Sequence, residues 1–272
     1  MRRLKPFRGI RTVIARLRRP TDARCETARG DRGYLICSSP RSGSTYLAEL
    51  LASTGMLGVP REYFNALDRW GRPDKERPED PHALLDRVLT KGATPNGIYG
   101  LKSHADHFAA VAAVIDPMRM LPNLKLVRIR RHDMLAQAIS WMRAQQTGRF
   151  RADSRPKCAP RYDAPAIRRL IALLAEQAAA WDRILAASGC VPLEIEYERL
   201  VEDPQREVDR VARLMDVHSP VPINPAGVKT TIQRDELNAA WRRRFLAEAG
   251  NELRDLATMA TPPSRPGSAS AS

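Results

Sequence analysis

The stretch from Tyr34 to Leu47, YLICSSPRSGSTYL, constrains this chain more than any other. Tyr34, Leu35, Ile36 and Cys37 form an apolar run that suits a strand buried on both faces. Ser38 to Thr45 then bring small and polar residues around Pro40 and Gly43, after which a helical pattern begins. Strand, tight turn and helix start, in that order, belong to an α/β fold. Such a turn exposes backbone N–H groups at the positive end of a helix, and Ser42, Gly43 and Ser44 are small enough to let an anion approach. The residues leave two readings open: an ordinary connection with serine caps, or a phosphate- or sulfate-binding loop that carries its own cation, Arg41. The Walker A pattern is absent, because no lysine follows Gly43 and the upstream glycine is missing.

The rest of the chain alternates strand and helix patterns. Ile98 to Leu101, Leu124 to Ile129 and Val191 to Tyr197 read as further strands. Helices are expected after Gly43, over His82 to Leu89, around Phe108 to Ile115, after Asp133, from Pro165 to Ala187, from Pro204 to Met215 and from Glu236 to Ala249. The expectation is one α/β, P-loop-like domain over residues 31–258, with a central, mostly parallel sheet flanked by helices. Ligands of such sheets bind at the carboxyl ends of the strands. Residues 1–30 carry ten arginines and lysines with apolar residues at helical spacing, which predicts a basic amphipathic or disordered arm able to touch an anionic membrane surface. Residues 259–272 are low in complexity and expected to be disordered.

The formal charge of +14 predicts anionic partners. No apolar run approaches the roughly 20 residues of a membrane span. Four scattered cysteines without a C-x-x-C pair suggest neither a zinc site nor a disulfide framework, and fit a reducing, cytoplasmic setting, with the arm allowing contact at the inner face of the membrane.

Candidate functional residues gather at predicted strand ends. Lys102, Ser103 and His104 follow the second strand, and Arg130, Arg131, His132 and Asp133 follow the third, with Ser140 on the next helix. A basic cluster with a nearby hydroxyl makes a second phosphate site. Glu62, between Arg61 and the aromatic pair Tyr63 and Phe64, is a candidate base whose apolar setting should raise its pKa. Leu67 to Pro81 reads as an exposed loop or lid and residues 148–165 as a loop, and Lys229, Gln233 and Arg234 could reach an anion or simply face water.

The blocks SSPRSGSTYLAELLASTGMLGVPREYFN, GLKSH, RRHDMLAQAISWMRAQQTGRF, IEYERLVEDP and QRDELNAAWRRRF occur in this order. Together they resemble the bacterial sulfotransferase family typified by mycobacterial trehalose 2-sulfotransferase. The resemblance implies 3′-phosphoadenosine 5′-phosphosulfate (PAPS) as sulfuryl donor, no metal, a sugar or glycolipid acceptor and a homodimer. It implies that Arg41, Ser42, Gly43, Ser44 and Thr45 grip the donor's phosphosulfate, with Arg41 as the cation at the breaking bond. Arg131 and Ser140 would hold the 3′-phosphate. Glu62 falls at the carboxylate proposed as base, and His104 falls where cytosolic animal enzymes have a catalytic histidine. His132 departs from the second arginine common at its position, and the basic arm lies outside the resemblance.

Two other function classes fit parts of the sequence. An ATP-dependent small-molecule kinase lacks its Walker lysine and an evident metal-binding aspartate. A nucleic-acid-binding protein would use the positive charge, but the basic segments lack interleaved aromatic residues, so no nucleic-acid partner is expected.

Overall fold

The computed structural model describes residues 31–67, 73–150, 158–230 and 236–259. The basic arm, the end of the chain from residue 260, Gln233, Arg234, residues 68–72 of the first predicted loop and residues 151–157 of the second lie outside the described residues.

Four strands form an all-parallel sheet: β1 (Arg32–Ser38), β2 (Ile98–His104), β3 (Leu124–Arg130) and β4 (Leu193–Glu196), in the spatial order β2-β1-β3-β4. The chain moves from β1 to one side, then crosses over to the other. The switch point therefore falls between β1 and β3, where open α/β sheets form their binding crevice beyond the strand ends. In register, Ser38 at the end of β1 pairs with His104 at the end of β2.

Alternation along β1 assigns its side chains to two cores. Tyr34 and Ile36 pack with Leu47, Leu50 and Leu51 of α1 (Ser44–Ser53) and with Val208 and Val211 of α8 (Pro204–Leu214). Leu35 and Cys37 face the other way, toward Leu84 and Val88 of α2 (Pro81–Lys91), Phe108 of α3 (Ala105–Ala112) and Trp181 of α6 (Ala164–Ser188). A third cluster joins α5 (Met134–Thr147), α6 and α9 (Glu236–Met259) through Ile139, Met142, Leu170, Trp241 and Phe245. Two short helices, α4 (Pro117–Met120) and α7 (Tyr197–Glu202), complete the described α-helices. Among these, none is long and apolar enough to cross a membrane.

Aspartates start most of these helices. Asp80, Asp116, Asp133, Asp163 and Asp203 accept hydrogen bonds from first-turn amides of α2, α4, α5, α6 and α8. Helix α1 has Gly43 at its cap, no side-chain cap bond and no acidic residue in its first turn.

The structure extends or trims several expected elements. β2 runs three residues past Leu101, because Lys102 and Ser103 are buried and keep their ladder partners. Tyr197 begins α7 and does not close β4. α9 continues through Gly250 to Met259, past the expected stop at Ala249, since Gly250 has no left-handed backbone to end it. Cys37 is a buried free thiol as expected, while Cys190 is only half-buried.

Arg128 is a buried cation in β3 that donates to Asp182 of α6 and, at 3.1 Å, to the Ala178 carbonyl. The Arg128 hydrogen bond, against the opposing effect of burial, lowers the Asp182 pKa. A carboxylate with a depressed folded pKa stabilises the fold above its unfolded pKa and loses that contribution as pH falls through the folded value. Asp182→Asn should thus unfold at lower temperature at pH 7 and lose less further stability below about pH 4 than the wild type. Thermal unfolding from pH 7 to pH 2 reads both; parallel curves would separate the pair from acid stability.

Candidate active site

The turn between β1 and α1 is bent by two left-handed residues, Arg41 at φ 61° and Gly43 at φ 93°. Left-handed backbone is natural for glycine but costs an arginine about 1–2 kcal/mol, so the surroundings must hold it. Trp181 Nε1 donates to the Ser38 carbonyl at 2.9 Å. Buried Gln137 of α5 donates to Ser39 Oγ at 2.9 Å and to the Pro40 carbonyl at 2.7 Å. Ser38 Oγ donates to the Ser103 carbonyl at 3.2 Å, tying the turn to β2. On the opposite side the Tyr197 ring lies against Gly43 so closely that a Cβ there would meet it at 2.3 Å. Ser42 is fully buried, and its Oγ has no hydrogen-bond partner among the described residues. An orphan buried hydroxyl beside an uncapped helix start is the condition an anion would relieve.

The structure brings the two expected anion sites into contact. Arg41 Nε donates to Ser140 Oγ at 3.0 Å, and Arg41 Nη1 donates to the Phe150 carbonyl at 2.7 Å. Arg131 Nη1 reaches the Arg41 carbonyl at 3.5 Å, and its guanidinium stacks 4.7 Å from the Tyr197 ring centroid. Burial, reinforced by the neighbouring Arg131, lowers the Arg41 pKa. Ser140 also lines a cavity of about 440 Å³ with Arg143, Thr147, Arg149 and Asn238. His132 stands apart: its exposed imidazole lies 3.6 Å from Glu196. Lys229 is held at its backbone by Glu49, 2.8 Å away.

On the β2 side, backbone pairing delivers Glu62. Lys102 N donates to the Arg61 carbonyl at 2.9 Å, so the segment carrying Glu62 runs beside the end of β2. Lys102 Nζ then bridges Glu62 Oε1 and Thr45 Oγ1, each at 2.9 Å. Asn65 Nδ2 donates to the other Glu62 oxygen at 2.9 Å. Burial acts to raise the Glu62 pKa, but Lys102, His104 and Asn65 overcome it and hold the carboxyl well below the usual range. The expected upward shift is thereby corrected. Tyr63 and Phe64, the aromatic neighbours invoked for it, point into the core and leave Glu62 facing a cation. Burial lowers the His104 pKa to about 4 against the opposing pull of Glu62, so its imidazole is neutral near pH 7.

Lys102, expected only as a polar residue at a strand end, is 8% exposed and joins the turn to Glu62. Its signal was present, since a lysine closing an apolar strand is buried only with a partner.

The sequence profile described as Stf0 sulphotransferase matches residues 33–248. The chain belongs to the Stf0 sulphotransferase family. Within that family its relatives include a trehalose 2-sulfotransferase of Mycobacterium tuberculosis (strain ATCC 35801 / TMC 107 / Erdman), 29% identical over 82% of this chain and 97% of the relative. A trehalose 2-sulfotransferase of Mycolicibacterium smegmatis (strain ATCC 700084 / mc(2)155) is 26% identical over 79% and 95% respectively. A solved sulfotransferase domain from the curacin biosynthetic pathway aligns over 74% of this chain and 77% of that one, at 17% identity and TM-score 0.41. The Stf0 match contains the turn, Glu62, Lys102, His104, Arg131 and Ser140.

Gly43→Ala should destabilise the fold through both its left-handed backbone, about 1–2 kcal/mol, and its clash with Tyr197. Adding Tyr197→Ala should relieve the clash and leave the backbone cost. Urea unfolding of the two single variants and the double variant separates these; simple additivity would mean that the ring does not bear on the turn.

Proposed function

We propose that this Stf0 sulphotransferase transfers the sulfuryl group of PAPS to a hydroxyl of a carbohydrate, trehalose or a related glycan. The observation that carries the reading is the single run of positive and donor groups from Ser42 through Arg41 to Ser140 and Arg131. A donor bearing anions at two places, a phosphosulfate and a separate 3′-phosphate, suits it. The cavity beside Ser140, with Arg143 and Arg149 on its wall, suits the nucleoside that joins them. The carbohydrate acceptor is supported by the names of the two mycobacterial relatives.

The donor supplies a sulfuryl group on a phosphate leaving group. The turn amides and the Ser42 hydroxyl bind its charged oxygens, where preorganised donors count most because charge shifts between oxygens during transfer. Arg41 neutralises charge on the leaving side. Lys102, buried between Thr45 and Glu62, is a second fixed cation that can face the transferring group. Glu62 accepts the proton of the acceptor hydroxyl. A low pKa makes it a weak base, which suffices if sulfuryl transfer follows the loose course of phosphoryl transfer, in which the attacking oxygen becomes strongly acidic only as its new bond forms. Neutral His104 stands next to it as a hydrogen-bonding partner of the acceptor.

Purified protein should bind 3′-phosphoadenosine 5′-phosphate more tightly than AMP, and Arg131→Ala should erase most of that preference; equal affinities would reject the donor. Labelled sulfate from PAPS, offered with a panel of sugars and cell lipids and read by mass, identifies the acceptor. Glu62→Gln should slow turnover by about 10²- to 10⁴-fold with donor affinity nearly intact. Arg41→Ala should lose both.

A further inference from the structure

The chain has five histidines. Two of them, His104 and His107, occupy the cap and first turn of α3, with Asp106 between them. Residues three apart share a helix face, and one ligand-capable atom from each of His104, Asp106 and His107 lies within 4.8 Å of the other two. The imidazole rings stack with centroids 5.3 Å apart and planes inclined by 27°. His107 Nδ1 is buried and has no hydrogen-bond partner among the described residues. Buried polar atoms are normally satisfied, so this nitrogen is placed for something the described residues do not provide. Asp106 is exposed; its Oδ1 accepts from the His107 amide at 3.0 Å, which holds the carboxylate over the same turn.

We propose that His104, Asp106 and His107 bind a late first-row divalent cation of the Zn²⁺ type, and that its occupancy suppresses sulfuryl transfer. Two imidazoles and a carboxylate are the donor set of three-ligand zinc sites, with the fourth position open. Imidazole favours zinc, copper and nickel over calcium or magnesium, which seek more oxygen ligands than one aspartate offers. Bonds of about 2.0–2.1 Å in a tetrahedron need donors about 3.4 Å apart. The three side chains, all on one turn, must therefore close by at most about 1.4 Å. The ion would be no participant in the transfer. It would occupy the His104 lone pair and place a double positive charge near Glu62. The suppressive half of the proposal rests on the assignment of Glu62 and His104 to the acceptor; the binding half does not.

The test uses the full chain without an affinity tag. Titration with Co²⁺, followed by its visible d–d absorption, and displacement by Zn²⁺ report site occupancy without any turnover. One ion should bind per chain with a spectrum free of thiolate bands. His107→Ala and Asp106→Asn should each weaken binding at least tenfold. Transfer is measured in parallel: both variants should keep the metal-free rate, and their half-inhibitory Zn²⁺ concentration should rise at least tenfold. Absent binding, thiolate bands, or affinity indifferent to both substitutions overturns the site. Zn²⁺ bound at this turn with transfer unchanged overturns the suppression. A chain that transfers no sulfate but shows the cobalt spectrum, lost in the variants, overturns the proposed function and leaves the metal site standing.

Discussion

The architecture depends on β1 having no face toward water. Tyr34, Leu35, Ile36 and Cys37 are all fully buried between β2 and β3 in the sheet and between helices above and below it. A strand enclosed in this way satisfies its backbone through a neighbour on each side; here both are parallel, and parallel neighbours require crossovers on the faces. Its carboxyl end is where the chain first escapes the enclosure. The polar turn there is consequently surrounded by the ends of three adjacent strands, and the candidate side chains are brought by these strands and the segments after them, except Glu62, whose segment pairs with the end of β2. The site follows from the sheet order, since placing β1 at the switch point puts Arg41 between Lys102 on one flank and Arg131 on the other.

The electrostatic arrangement has two halves. Around Ser42, Arg41 and Arg131, positive charge accumulates beside a buried hydroxyl and an uncapped helix, and burial works against the Arg41 charge. Around Lys102 the charges are already matched, with Glu62 and Thr45 at hydrogen-bond distance. The first half is poised for an anion from outside; the second is self-contained until a substrate competes for one of its members. Such division suits the proposed transfer from a highly charged donor to a neutral hydroxyl. Burial opposes the charges of Lys102 and Glu62 and their mutual attraction offsets it, so removing either partner strands the other.

Much of this was legible in the sequence because its signals are local. The apolar run before Pro40, the small residues around Gly43 and the basic cluster at Arg131 each report their own backbone setting. The contact between Arg41 and Ser140 was not readable, as it spans 99 positions and arises from β1 and β3 being neighbours. The ionisation of Glu62 was misjudged for a related reason. Sequence neighbours of a residue in an irregular segment need not be its spatial neighbours, and the backbone bond from Lys102 to Arg61 turns Glu62 toward a lysine far along the chain. Lys102 reads from the sequence as lying just past its strand, because burial of an ammonium depends on partners that only the folded chain supplies.

Tyr197 carries a consequence for the order of assembly. Its ring closes against Gly43 and under Arg131, although it belongs to the segment after β4. A growing chain that has emerged only as far as α5 holds the whole turn and both arginines, yet lacks the wall against which they are pressed. The walled turn is therefore a late acquisition during synthesis, completed only when β4 docks on β3 and brings Tyr197 against Gly43.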